Sequence, residues 1–121
     1  MNTKDWVAAL VSRFELGNTP DGRIHFSLKA GNGEIILTGE TYDSKQNALE
    51  AIAAVRASAP LEQCYERKIA ANSQPHFRLK AANGQALGQS ALFPDFGAME
   101  NAIASVARDA AHAAFTDLTE D

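Results

Sequence analysis

The feature that most constrains the fold is that the chain is written twice. Residues 25–34, HFSLKAGNGE, return at 76–85 as HFRLKAANGQ. Sliding the chain 51 residues along itself aligns 14–59 with 65–110 without a gap, and thirteen of those 46 pairs are identical. Average composition gives about three by chance. A repeat at this period is a supersecondary unit that needs a neighbour to bury its apolar face. One copy of roughly 50 residues has too little core to stand alone, and two copies share one.

Each copy has the same pattern. Short strands are expected at 13–16 and 65–69, followed by the turn pairs Asp21-Gly22 and Asn72-Ser73. The next strand alternates cleanly: Phe26, Leu28 and Ala30 on one face, His25, Ser27 and Lys29 on the other, and likewise Phe77, Leu79 and Ala81 against His76, Arg78 and Lys80. Period two with one polar face marks a strand buried on one side. Asn32-Gly33 and Asn83-Gly84 are strong hairpin signals and predict two-residue type I′ turns. Return strands are expected at 34–38 and 85–89.

Helices follow. Ser44 and Asp95 stand at equivalent positions and suit N-caps, whose side-chain oxygens accept from free backbone N–H groups. Ala48, Ile52, Val55 and Ala59, then Met99, Ile103, Val106 and Ala110, form one buried stripe per helix. A last strand is expected after each, at 62–67 and 113–117. The fold class is α+β: two tandem β3-α-β repeats forming a single antiparallel sheet with two helices on one face. Residues 1–13 form an N-terminal extension, 14–64 and 65–117 the two repeats of one domain, and a short acidic tail ends the chain.

F-x-L-K-A-x-N-G in both copies, the Tyr or Phe that follows, the helix segments AIAAV and AIASV, and YERK between the copies resemble the bacterial YegP-like family. That family consists of small, often tandemly repeated proteins of unknown function. The resemblance implies two β3-α-β units sharing a sheet, with the last strands exchanged between units. It implies no catalytic residues. Two departures are the longer start at 1–13, where Asp5, Trp6, Val7, Leu10 and Val11 suit a short amphipathic helix, and Pro94-Asp95-Phe96-Gly97 at the second helix start. An intramolecular lid over the sheet is expected from the first.

A net charge of −4 argues against duplex nucleic acid as a partner. Cys64 is the only cysteine, which excludes an intrachain disulfide and points to a reducing compartment. The apolar run 6–11 is too short for a span or a signal peptide, so a cytoplasmic protein without membrane association is expected. No cofactor or metal is expected. With both repeats in one chain, an intrachain pseudo-dimer and a monomer are expected.

His25, Lys29, His76, Arg78 and Lys80, with Arg23 beside them, would collect on the polar sheet face. That face, or the seam between repeats, is the candidate site of a non-enzymatic module binding a peptide, a protein or a small anion. An enzyme using Cys64, or a paired His25/His76 site, is one alternative. Single-stranded nucleic-acid binding is another, though Phe26 and Phe77 point away from the basic face and leave it without the usual stacking platform. Glu15, Glu34, Glu40, Glu62 and Glu66 show no recognisable acid/base pairing, and most are expected to be solvated.

Overall fold

The computed structural model describes residues 12–120. Strands β1 (Arg13–Asn18), β2 (Ile24–Lys29) and β3 (Ile35–Tyr42) lead to helix α1 (Lys45–Ser58), and β4 (Tyr65–Ile69), β5 (Pro75–Lys80) and β6 (Ala86–Gln89) lead to α2 (Phe96–Asp109) and β7 (Ala114–Asp117). One seven-stranded sheet results, in the order β4-β5-β6-β3-β2-β1-β7. The repeats meet at β3 and β6, where Thr38 faces Gln89. These two residues are equivalents in the repeat, so an approximate two-fold axis passes between them.

Two features differ from the sequence expectation. The sheet is mixed, because β7 runs parallel to β1. The second helix and its 3₁₀ turn (Ala110–His112) deliver the chain to the end where β1 begins, with Ala114 N–H donating to the Ser12 carbonyl at 2.9 Å. From there the strand runs alongside β1 in the same sense. The last strand of the second repeat therefore completes the first, the exchange that the family resemblance implies. The sheet also has seven strands where two β3-α-β units would supply eight. After α1 a 3₁₀ turn (Glu62–Cys64) leads straight into β4, which serves as the opening strand of the second repeat.

The hairpins are also not type I′. Gly33 N–H donates to the Ala30 carbonyl and Ala30 N–H to Glu34, with Gly33 at φ +89° and Asn32 outside the positive-φ region. This is a three-residue loop, a type I turn closed by one left-handed residue. Asn32 still serves it, its side-chain oxygen accepting from Glu34 N–H at 2.9 Å. The same loop closes at Gly84, with Asn83 bonded to Gln85 N–H, and again at Gly22 and Ser73.

Helices α1 and α2 lie on one face. Ser44 Oγ accepts from Asn47 N–H at 3.1 Å and Asp95 Oδ1 from Ala98 N–H at 2.8 Å, so each cap satisfies an otherwise free donor. All eight stripe residues are buried, against Phe14, Leu16, Phe26, Leu28, Leu37, Phe77, Leu79 and Leu87 of the sheet. Phe26 stacks on Tyr42 and Phe77 on Phe93, each pair 6.2 Å apart and related by the repeat. α1 also packs on β5 and β6 of the other repeat, so the core is continuous across the seam. The lid expected from residues 1–13 falls largely outside the described residues.

Candidate functional site

The face away from the helices is polar because alternate residues of every half-buried strand must point there. Strand register aligns Glu15, Ser27, Thr38, Gln89, Arg78 and Glu66 in one row across six strands. Its two ends are copies of one arrangement. Glu15 accepts from Lys29 and Arg13, both at 2.8 Å. Glu66 accepts from Lys80 at 2.8 Å and forms an ion pair with Lys68 at 3.2 Å. Lys29 and then Arg13 hold the Glu15 carboxyl below the usual carboxylate range, and Lys80 and then Lys68 do the same for Glu66. Both carboxylates are thus ionised structural anchors rather than solvated side chains. Their identity at equivalent positions, alongside Lys29 and Lys80, is the sequence signal that could have revealed the pairs.

Lys29 and Lys80 are therefore spoken for, whereas Arg78 has no acidic partner within ion-pair distance among the described residues. On β1, β2, β4 and β5 the face carries Arg13, Lys29, Lys68, Arg78 and Lys80 against two carboxylates. Three positive charges remain on a chain whose net charge is −4. Arg23 does not join them; it bonds Asp43 at 3.1 Å.

His25 and His76 do not form a pair. They lie on opposite sides of the polar row, three strands apart, which places them about 20 Å from each other. No cluster of three or more His, Cys, Asp or Glu suited to a metal occurs among the described residues. Cys64 packs into the core on the helix side, away from both histidines. His112 sits in the 3₁₀ turn after α2. No helix among the described residues is long and apolar enough to cross a membrane.

The seam supplies two clefts on the helix side. The larger, about 610 Å³, lies between the start of β3 and α2, with Glu34, Ile36, Phe93, Asn101, Ala102 and Ser105 in its wall. The smaller, about 280 Å³, is walled by their repeat equivalents Gln85, Leu87, Tyr42, Glu50, Ala51 and Ala54. Each cleft thus joins one repeat's third strand to the other's helix. The Tyr42 hydroxyl in the smaller cleft is buried without a hydrogen-bond partner among the described residues, and burial raises its pKa.

A family model described as a domain of unknown function, DUF1508, matches this chain twice, over residues 20–66 and 70–117. The UPF0339 protein YegP of Escherichia coli K12 is 48% identical over 93 residues, covering 77% of this chain and 84% of that protein. A UPF0339 protein of Shewanella oneidensis is 40% identical over 106 residues, covering 88% and 96%. The solution NMR structure of UPF0339 protein SO3888 from Shewanella oneidensis superposes with a TM-score of 0.85 at 39% identity, covering 89% of this chain and 92% of that one. The solution structure of E. coli yegP, described as a protein of unknown function, gives 0.86 at 42% identity over 93% and 97%.

Proposed function

We propose, for a chain that belongs to the DUF1508 family of unknown function and carries two copies of its domain, that the sheet face away from the helices binds an extended acidic segment of another protein. One observation carries this reading: on β1, β2, β4 and β5 the polar face sets five cations against two carboxylates on an acidic molecule. Such a field draws an anionic partner and orients it. The fixed Glu–Lys pairs hold the surrounding cations in place, and Arg78 is left to meet the ligand. The two repeats are joined in one chain, so the module acts as a monomer and works by binding rather than by catalysis. The enzymatic alternative draws no support from Cys64, whose side chain is in the core. Stacked single-stranded nucleic acid would need aromatic platforms, and Phe26 and Phe77 lie beneath the sheet.

The test is titration of a short poly-glutamate peptide against wild type and Arg78→Glu at low ionic strength. Wild type binds, binding weakens as salt rises, and the variant loses about tenfold in affinity while staying folded. Absence of peptide binding at low salt would overturn the proposal. So would Arg78-dependent binding of inorganic phosphate or a single-stranded oligonucleotide in its place.

A further inference from the structure

The two repeats end the sheet differently. In the first, the outer edge of β1 holds β7: Phe14 faces Phe115, Leu16 faces Asp117, and Leu118 N–H donates to the Leu16 carbonyl at 2.7 Å. Two side chains grip the added segment. Lys45 pairs with Asp117 at 3.1 Å, and the Asn18 side chain accepts from Glu120 N–H at 2.7 Å. The matching edge of the second repeat is β4, which pairs only with β5 among the described residues.

β4 keeps the backbone arrangement of that edge. It stands on β5 in the register that β1 has on β2, and Ala70 N–H bonds the Gln74 carbonyl as Thr19 N–H bonds that of Arg23. Antiparallel pairing alternates inward and outward backbone groups, so those of Arg67 and Ile69 point away from the sheet, as those of Leu16 and Asn18 do towards β7. The strand is firmly seated, the Tyr65 hydroxyl donating to the Ala59 carbonyl at 2.7 Å. A fixed row of outward N–H and C=O groups is a template for another strand.

The gripping residues have changed. Ile69 stands where repeat 1 has Asn18 and is 62% exposed, and Phe96 stands where it has Lys45 and is 55% exposed. Arg67, in place of Leu16, is bridged to Glu62 and Glu100, one cation against two carboxylates. An acidic residue at the place of Asp117 would meet that excess negative charge and find no lysine, so β7 of a second copy is a poor occupant. β4 of a second copy is no better, because antiparallel pairing centred on Arg67 sets two guanidiniums opposite one another. An apolar side chain at the same place would instead lie beside Phe96.

We propose that the outer edge of β4 receives an extended apolar segment of another protein, added parallel to β4 as β7 is added to β1. Backbone hydrogen bonds hold the segment, and Phe96 and Ile69 select its side chains. The second repeat then gains from a partner the strand that the first gains from within the chain. The edge acts independently of the polar face.

The probe is a synthetic peptide copying residues 113–120 with Asp117→Val, and the control is the same peptide unaltered. Added to the isotope-labelled full chain, the substituted peptide should shift the backbone amide resonances of Arg67 and Ile69 and slow their hydrogen exchange. The control should bind several-fold more weakly. Ile69→Asp and Phe96→Asp, both at exposed positions, should each weaken the substituted peptide several-fold with far-UV dichroism retained. Should either variant fail to fold, the amide shifts in the unsubstituted protein decide the matter. Absence of binding at millimolar peptide would overturn the proposal, as would shifts confined to other strands. Equal affinity for the two peptides, or affinity indifferent to both substitutions, would overturn it as well.

Discussion

Ser73 is the one described non-glycine residue with positive φ, at +70°. It closes the β4–β5 loop where Gly22, Gly33 and Gly84 close the other three, and a side chain there is strained by the left-handed backbone. Ser73→Gly should raise stability by about 0.5–1 kcal/mol, the relief being partly offset by the freer unfolded chain. Unchanged or lowered stability in chemical denaturation would contradict this. Charge at residue scale gives a second expectation. Glu15, Glu66 and Asp117 all have lowered pKa values in the fold, Asp117 about 2. A lowered folded pKa means the carboxylate's contribution is complete above the ordinary carboxylate value and is lost as pH falls through the folded one. Stability should hold from neutral pH to about 5 and then decline towards pH 2. The Glu15→Gln/Glu66→Gln double variant should show a shallower acid limb, measured by denaturation midpoints across pH.

At the scale of elements, the two outer strands of the repeat pattern face different surroundings, and their residues differ accordingly. β1 is covered by β7 and carries Leu16, buried. β4 pairs only with β5 among the described strands, and there Arg67 replaces Leu16. Arg67 bonds Glu100 at 2.5 and 3.0 Å and Glu62 at 2.8 Å, which lays a charged bridge along the open edge. Charged side chains on a short edge strand prevent sheet-to-sheet pairing between molecules. Arg67→Leu should therefore increase self-association, seen as a rising mass in sedimentation or light scattering, while Arg67→Lys should not. A monomeric Arg67→Leu protein would remove the guard role. This contrast also marks what sequence reading could reach. Alternation at 25–30 and 76–81 and the Ala48 and Met99 stripes were legible because periodicity is local. The parallel sense of β7 was not, because it depends on where α2 delivers the chain, whereas its crossing to the first repeat came from the family resemblance. Likewise the histidines and lysines of the candidate face were visible, whereas the Glu15–Lys29 and Glu66–Lys80 pairs form only through register across strands.

At the scale of the whole molecule, the seam decides whether the two repeats are one structure or two. β3 and β6 share only the pairs Thr38–Gln89 and Gly39–Gly88, a narrow join for a seven-stranded sheet. Both glycines there are required by space. A Cβ on Gly39 would come within 2.5 Å of the Phe26 ring, and one on Gly88 within 2.9 Å of the Thr38 carbonyl oxygen. The Phe26 ring is fully buried and stacked on Tyr42, so it has no room to retreat. Gly39→Ala should cost about 2–3 kcal/mol through overpacking. How that loss is distributed tests the architecture. α1 crosses onto β5 and β6, Arg56 of α1 donates to the Ala110 and Ala111 carbonyls at 3.0 and 3.2 Å, and β7 returns to β1. With three separate ties bridging the narrow join, neither repeat keeps a complete core when the other opens. Gly39→Ala should then lower the denaturation midpoint with an unchanged slope, and hydrogen exchange should speed up equally in β2 and β5. A second transition, or protection lost from the first repeat alone, would mean that the copies fold as neighbours rather than as one unit.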